Sequence, residues 1–194
     1  MDEELVRLAG ELISYKTTAD NKEQIDGCLC HIKDYLKDTG AFIEEIGYKG
    51  VKSLFISYSG KKKVKFLING HIDVVAGKPE QFSAHVRDGF LYGRGAVDMK
   101  GGVAVGLRLF RDLKDVRPDI GLMIVSDEEV GGFCGTGRLV ELGYGGEFVV
   151  ASEPTSFRDG ASFDIVIREK GVLQLEVRVR GKSAHASRPW QGSN

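Results

Sequence analysis

Leu5, Leu8, Ala9, Leu12 and Ile13 recur at i, i+3, i+4, i+7 and i+8, which predicts an amphipathic first helix. A second stripe of Ile25, Cys28, Leu29, Ile32, Tyr35 and Leu36 follows Asp20 and Asn21, either of which can cap its helix, and Gly40 ends it. The period then shortens. β-rich runs lie at 41–46, 53–58 and 64–68, and Ser59-Gly60-Lys61-Lys62-Lys63 between the last two reads as a solvated turn. Asp88-Gly89, between 84–87 and 90–92, is a two-residue hairpin signal. Helical patterns return from Gly102 to Leu113, with Val103, Leu107 and Phe110 on one face, and from Gly135 to Leu142. Leu173, Leu175, Val177 and Val179 alternate with Gln174, Glu176, Arg178 and Arg180, the pattern of a half-exposed strand. Interleaved strands and helices predict an α/β fold. The change of character after Asp164 places a domain boundary near Lys170-Gly171, dividing the chain into 1–170 and 171–194.

Three of the apolar runs are followed at once by side chains able to hold a metal. Lys65-Phe66-Leu67-Ile68 leads to Asn69-Gly70-His71-Ile72-Asp73, Gly121–Val125 to Ser126-Asp127-Glu128-Glu129, and Phe148–Ala151 to Ser152-Glu153-Pro154. A fourth acidic residue, Asp98, stands just before the helical pattern that opens near Gly102. In an α/β sheet, ligands bind in the crevice outside the carboxyl ends of the strands. Side chains at four such positions therefore converge on one place, as expected of a metal-dependent hydrolase. Taken singly, a His-x-Asp is usually a satisfied pair, Glu-Glu a surface charge and Glu-Pro a turn; their joint placement at strand ends sets those readings aside.

Composition narrows the partners. A net charge of −1 gives no reason to expect nucleic acid or an anionic membrane, and no run approaches the roughly 18 apolar residues of a membrane span. The acidic start, Met1-Asp2-Glu3-Glu4, lacks the basic and apolar regions of a signal peptide, so a cytoplasmic location is expected. An odd number of cysteines, three, argues against a disulfide framework; Cys28, Cys30 and Cys134 read as non-ligating thiols. Gly181-Lys182-Ser183 is not a phosphate-binding loop, because Glu176 occupies the position of the required glycine. Gly131-Gly132-Phe133-Cys134-Gly135-Thr136-Gly137 lacks a dinucleotide fingerprint, and there is no Gly-x-Ser-x-Gly elbow. His31 and His85 read as structural or exposed.

Gly70-His71-Ile72-Asp73-Val74-Val75, Gly93-Arg94-Gly95 through Asp98-Met99-Lys100-Gly101-Gly102, Asp127-Glu128-Glu129-Val130-Gly131-Gly132 and Glu153-Pro154-Thr155 occur in that order. Gly181-Lys182-Ser183-Ala184-His185-Ala186 adds a fifth motif. Together they resemble the zinc-dependent acylamino-acid deacylases and carboxypeptidases, the family of acetylornithine deacetylase and succinyl-diaminopimelate desuccinylase. The resemblance implies a mixed, mainly parallel sheet flanked by helices, followed from about residue 171 by the start of an α+β lid and dimerisation domain. It makes His71 and Glu153 ligands of one Zn2+, Asp98 a bridge to a second Zn2+, and Glu129 a ligand of the second. Glu128 becomes the general base, Asp73 the orienter of His71, and His185 an oxyanion donor that reaches the site of a neighbouring subunit. A cis peptide between Asp98 and Met99 is implied as well.

The implied reaction is hydrolysis of the amide of an N-acyl amino acid, acetylated or succinylated, by a metal-activated water. A dipeptidase or carboxypeptidase of the same family is the runner-up. The Glu153-Pro154-Thr155 and Ser183-Ala184-His185-Ala186 forms lean toward a deacylase. Such enzymes supply a last metal-binding histidine and the substrate's carboxylate clamp beyond the point matched by Asn194. The 194-residue chain is therefore expected to hold one Zn2+ tightly, with Co2+ able to substitute, and to be inactive or weakly active. A non-catalytic metal-binding fragment is the alternative, and a homodimer is expected of a full-length form.

Overall fold

A computed structural model describes residues 2–155, 166–167 and 181–193. Helix α1 (Glu3–Ser14) begins where the Asp2 carboxylate accepts the Leu5 N–H at 3.1 Å, and Glu3 and Glu4 sit favourably at the positive end of the helix dipole. Its buried residues are Leu8, Ala9, Leu12 and Ile13. Helix α2 (Lys22–Leu36) buries Ile25, Cys28, Leu29, Ile32 and Leu36, then passes through a 3₁₀ turn to Gly40 in the left-handed region. Asn21 occupies its N-cap, but its side chain makes no capping bond.

Strands β1 (Phe42–Tyr48) and β2 (Val51–Ser57) form an antiparallel hairpin through Lys49 and Gly50, both at positive φ (49° and 82°). That turn has no Asn-Gly or Asp-Gly signature, and the sequence pattern passed over it. The hairpin with the signature forms as expected: β4 (His85–Arg87) and β5 (Phe90–Tyr92) pair across Asp88 and Gly89. The remaining elements are β3 (Lys63–His71), α3 (Lys100–Asp112), β6 (Ile120–Val125), α4 (Thr136–Glu141) and β7 (Gly145–Ala151). Strand β3 runs three residues past its expected end, carrying His71 to the strand's last position.

The main sheet has the order β1-β2-β6-β3-β7. β3 is parallel to both β6 and β7, whereas β2 is antiparallel to its two neighbours, so four of the five strands run the same way. This is the mixed, mainly parallel sheet expected. α1, α2 and α3 cover one face, where Leu12, Leu29, Ile32, Ile56, Ile68, Leu107, Phe110 and Leu122 form the larger core. Phe55, Leu67, Met123 and Val125 pack with Leu139 of α4 and Tyr144 on the other face. β6, covered on both faces, is buried along its whole length, which explains its unbroken apolar run. Among the described residues no helix is long and apolar enough to cross a membrane. The boundary near Lys170-Gly171 and the alternating strand at 173–179 lie outside the described residues.

Candidate metal centre

Parallel register brings the chemistry together. His71 pairs with Val125 across β3 and β6, and Asn69 pairs with Ala151 across β3 and β7, so the three carboxyl ends lie side by side. The chain leaves β6 into the Glu128–Val130 turn and leaves β7 into Ser152-Glu153. Asp98 arrives from the loop before α3, where the Asp98–Met99 peptide is cis. His71 Nε2 then has Asp98 Oδ1 at 3.1 Å, Glu153 Oε1 at 3.4 Å and Glu128 Oε2 at 3.8 Å. His71, Glu128 and Glu153 each offer a ligand atom within 4.8 Å of the others.

The imidazole is held from behind. Its Nδ1 lies 2.9 Å from the main-chain oxygen of Asp73 and 3.4 Å from that residue's Oδ1. The shorter contact is to the carbonyl, which fixes Nδ1 as the donor and leaves Nε2 free to face the carboxylates. Asp73, fully buried, uses Oδ2 to accept the Glu129 N–H at 2.9 Å, tying the two ligand-bearing segments together. Glu129 has different surroundings from Glu128: Asp98 is its foremost charged neighbour, and the Val75 N–H favours its ionised form. Asp98 thus stands close to both His71 and Glu129.

The electrostatics of the cluster favour a cation. Burial opposes a charge on His71, but the carboxylates of Asp73 and Glu153 outweigh it and push its pKa up to about 11. Burial, then the nearby Glu153, Asp73 and Glu129 charges, raises Glu128 against the opposing pull of His71. Burial, then Asp98, raises Glu129. A 1% exposed imidazole facing three partly exposed carboxylates suits a divalent ion better than a proton. The donor set of one imidazole nitrogen and carboxylate oxygens fits zinc, and the exposed carboxylate side leaves room for water and a substrate.

Asp127, which opens the Asp127–Gly132 motif without a role assigned by it, closes the loop that presents both glutamates. Its Oδ2 accepts the Cys134 and Gly135 N–H groups at 2.9 and 3.0 Å, and its main-chain oxygen accepts the Gly132 N–H at 2.8 Å. Gly131 and Gly132 turn the chain with φ of 109° and 67°. Position 135 must be glycine, because a Cβ there would collide with Asp127 Oδ1. The available signal was an aspartate at a strand end followed by paired glycines. Asp127→Ala leaves two N–H groups without their acceptor and is expected to destabilise the protein by about 1–3 kcal/mol. Urea unfolding measures this, and an unchanged midpoint would remove Asp127 from the role.

His185 is not brought to this cluster by any described contact; it is exposed, with Nδ1 2.8 Å from Ser187 Oγ. His31 lies against Tyr15 and 3.3 Å from Glu11, and His85 stacks on Tyr92. All three cysteines are free, and Cys28 is buried while Cys30 is exposed.

A sequence profile described as "Peptidase family M20/M25/M40" matches residues 67–190. The succinyl-diaminopimelate desuccinylase of Sulfurimonas denitrificans is 33% identical over 196 residues, covering 95% of this chain and 52% of its own. The enzyme of the same name from an Azoarcus species is 33% identical over 207 residues, covering 100% and 53%. The chain therefore spans about half the length of these relatives. Among solved structures, human carnosine dipeptidase 1 superposes with a TM-score of 0.64 at 21% identity, over 78% of this chain and 38% of its own. An M20 family metallo-carboxypeptidase, Sso-CP2 of Sulfolobus solfataricus, gives 0.64 at 24% identity over 78% and 37%. At these identities the two structures establish the fold alone.

Proposed function

Because the chain belongs to peptidase family M20/M25/M40, we propose that its cluster at His71 is the metal centre of an amidohydrolase acting on N-acyl amino acids. The convergence of Asp98, Glu128 and Glu153 on the Nε2 of one buried histidine carries this reading. His71, Asp98 and Glu153 would hold one Zn2+, and Asp98 with Glu129 would hold a second; Co2+ could take the place of zinc. When bound, such ions supply Lewis acidity, polarising the scissile carbonyl and making water a stronger acid. Glu128 takes the proton of the attacking water and returns it to the leaving amine. Asp73 keeps His71 in its tautomer by accepting from Nδ1 and keeps Glu129 in place by accepting its N–H.

Similarity to desuccinylases favours a succinylated amino acid over an acetylated one. The dipeptidase reading has a structural neighbour behind it, at an identity that speaks only for the fold. His185 acting across a homodimer, a lid domain beginning near Lys170-Gly171 and a cytoplasmic location belong to the same proposal.

The test is hydrolysis of N-succinyl and N-acetyl amino acids and of dipeptides, with Zn2+ or Co2+ added, before and after a chelator. Metal-dependent release of succinate is the expected outcome for a protein carrying these residues. Cleavage of dipeptides alone would give the site to the dipeptidase reading. For the 194 residues by themselves the expectation is turnover near background, and about 1 s⁻¹ or more, within the usual enzyme range, would contradict it.

A further inference from the structure

Lys100 is fully buried. Sequence pattern alone reads a lysine at the start of a helix as solvated, and burying an ammonium costs several kcal/mol unless it is paired. Its Nζ donates to Leu12 O at 2.9 Å and to Tyr15 O at 2.8 Å. Both carbonyls belong to the C-terminal end of α1, whose last turn contains no basic residue of its own. The ammonium thus supplies the cation that the negative end of the helix dipole favours, from a segment 85 residues away. The charge it faces beyond those carbonyls is the carboxylate of Asp73, with the Cys28 thiol alongside.

These contacts run between two of the segments that carry the proposed first metal's ligands, those of Asp98 and His71. On one side, the Lys100 N–H donates to Gly95 O at 2.8 Å, closing the loop from which Asp98 projects. On the other, Tyr15 O accepts the Thr17 N–H at 2.9 Å, and Thr17 binds the His71–Val74 turn twice. Its hydroxyl donates to Ile72 O at 2.5 Å, and its main-chain oxygen accepts the Val74 N–H at 3.1 Å. Thr17 is itself fully buried, so both bonds are shielded from water. The end of α1 therefore works as a clamp, gripped by Lys100 at one end and gripping the His71–Asp73 turn at the other.

We infer that Lys100 is a positioning residue for the metal centre, holding Asp98 and His71 in register through the end of α1. It touches neither metal nor substrate, and the inference rests on the proposed metal centre. Removing an outer partner of this kind typically costs 10–100-fold in metal affinity.

The experiment is Co2+ titration of the full chain, followed by visible absorption, which reports the ligand set as well as the affinity. Lys100→Met keeps the bulk of the stem and removes the ammonium; Thr17→Val removes the hydroxyl and Thr17→Ser restores it. Tyr58→Phe is the control, because it loses a buried hydrogen bond to the Phe110 carbonyl far from the cluster in the sheet. Lys100→Met and Thr17→Val are expected to bind Co2+ about 10–100-fold more weakly with an altered spectrum. Thr17→Ser and Tyr58→Phe should keep the native affinity and spectrum. Native-like binding by Lys100→Met and Thr17→Val would overturn the inference, and so would an equal loss in Tyr58→Phe. Should Lys100→Met not fold, the Thr17 pair decides: a weak Val variant beside a native-like Ser variant supports the clamp, and two alike overturn it. A native chain that takes up no Co2+ overturns the metal centre and the inference with it, whereas native uptake with unaffected variants overturns the inference alone.

Discussion

Glu128→Gln is expected to lower the proposed amide hydrolysis by about 10²–10⁴-fold, the usual worth of a general base, while metal content stays unchanged. Glutamine keeps the side chain's shape but cannot accept a proton from water. The proposed role of Glu128 rests on the turn after β6, which brings its Oε2 to 3.8 Å from His71 Nε2. Its raised pKa, from burial and then the surrounding anions, makes it a stronger base than an ordinary carboxylate. The comparison is of variant with native in whichever form turns over, the 194 residues or a longer protein carrying them. A variant that loses metal together with activity would make Glu128 a ligand, an alternative suggested by its grouping with His71 and Glu153. A variant with near-native turnover would pass the proton transfer to another residue.

His71→Ala acts at the other end of the chemistry. It removes the one imidazole of the cluster and leaves carboxylates, a donor set suited to Mg2+, Ca2+ or Mn2+ rather than to zinc. Zinc affinity is expected to fall by more than the roughly 100-fold that loss of an outer partner can cost. Replacing the buried ring also leaves Asp73 O and Oδ1 without their neighbour. Competition against a chromophoric chelator measures the affinity. A variant that keeps native zinc affinity would remove His71 from the ligand set.

Most of the fold was legible because the apolar periodicities are strong. The stripes Leu8, Ala9, Leu12, Ile13 and Ile25, Cys28, Leu29, Ile32 are the buried faces of α1 and α2. What was missed follows from chemistry that pattern does not encode. Lys49-Gly50 forms a tight hairpin turn with a lysine at positive φ, a position for which sequence expects Asn, Asp or Gly. α3 starts at Lys100 rather than Gly102, because Met99 and Gly95 carbonyls already accept the Val103 and Lys100 N–H groups.

The site was legible for a different reason. Glu128 and Glu153 follow β6 and β7, both parallel to β3, so their linear positions translate directly into convergence on His71, whereas Asp98 comes from the loop before α3. Residues that work through others were not legible. Asp127 looked like one more acid beside Glu128, and its binding of the Cys134 and Gly135 N–H groups depends on a loop returning to it. Lys100 received no role from its place in the Asp98–Gly102 motif, and its partners are carbonyls at the end of a helix far earlier in the chain.

Among the described residues the two proposed ion sites are unequal. One has His71, Asp98 and Glu153, as many protein ligands as a typical catalytic zinc site, while the other has only Asp98 and Glu129. Zinc titration of the 194-residue chain, followed by dialysis and metal analysis, tests the metal centre most directly. The expected result is one tightly held ion per chain, lost in His71→Ala, and a second that dialyses away. Two equally tight ions would contradict the unequal sites, and a chain that retains no zinc would contradict the metal centre itself.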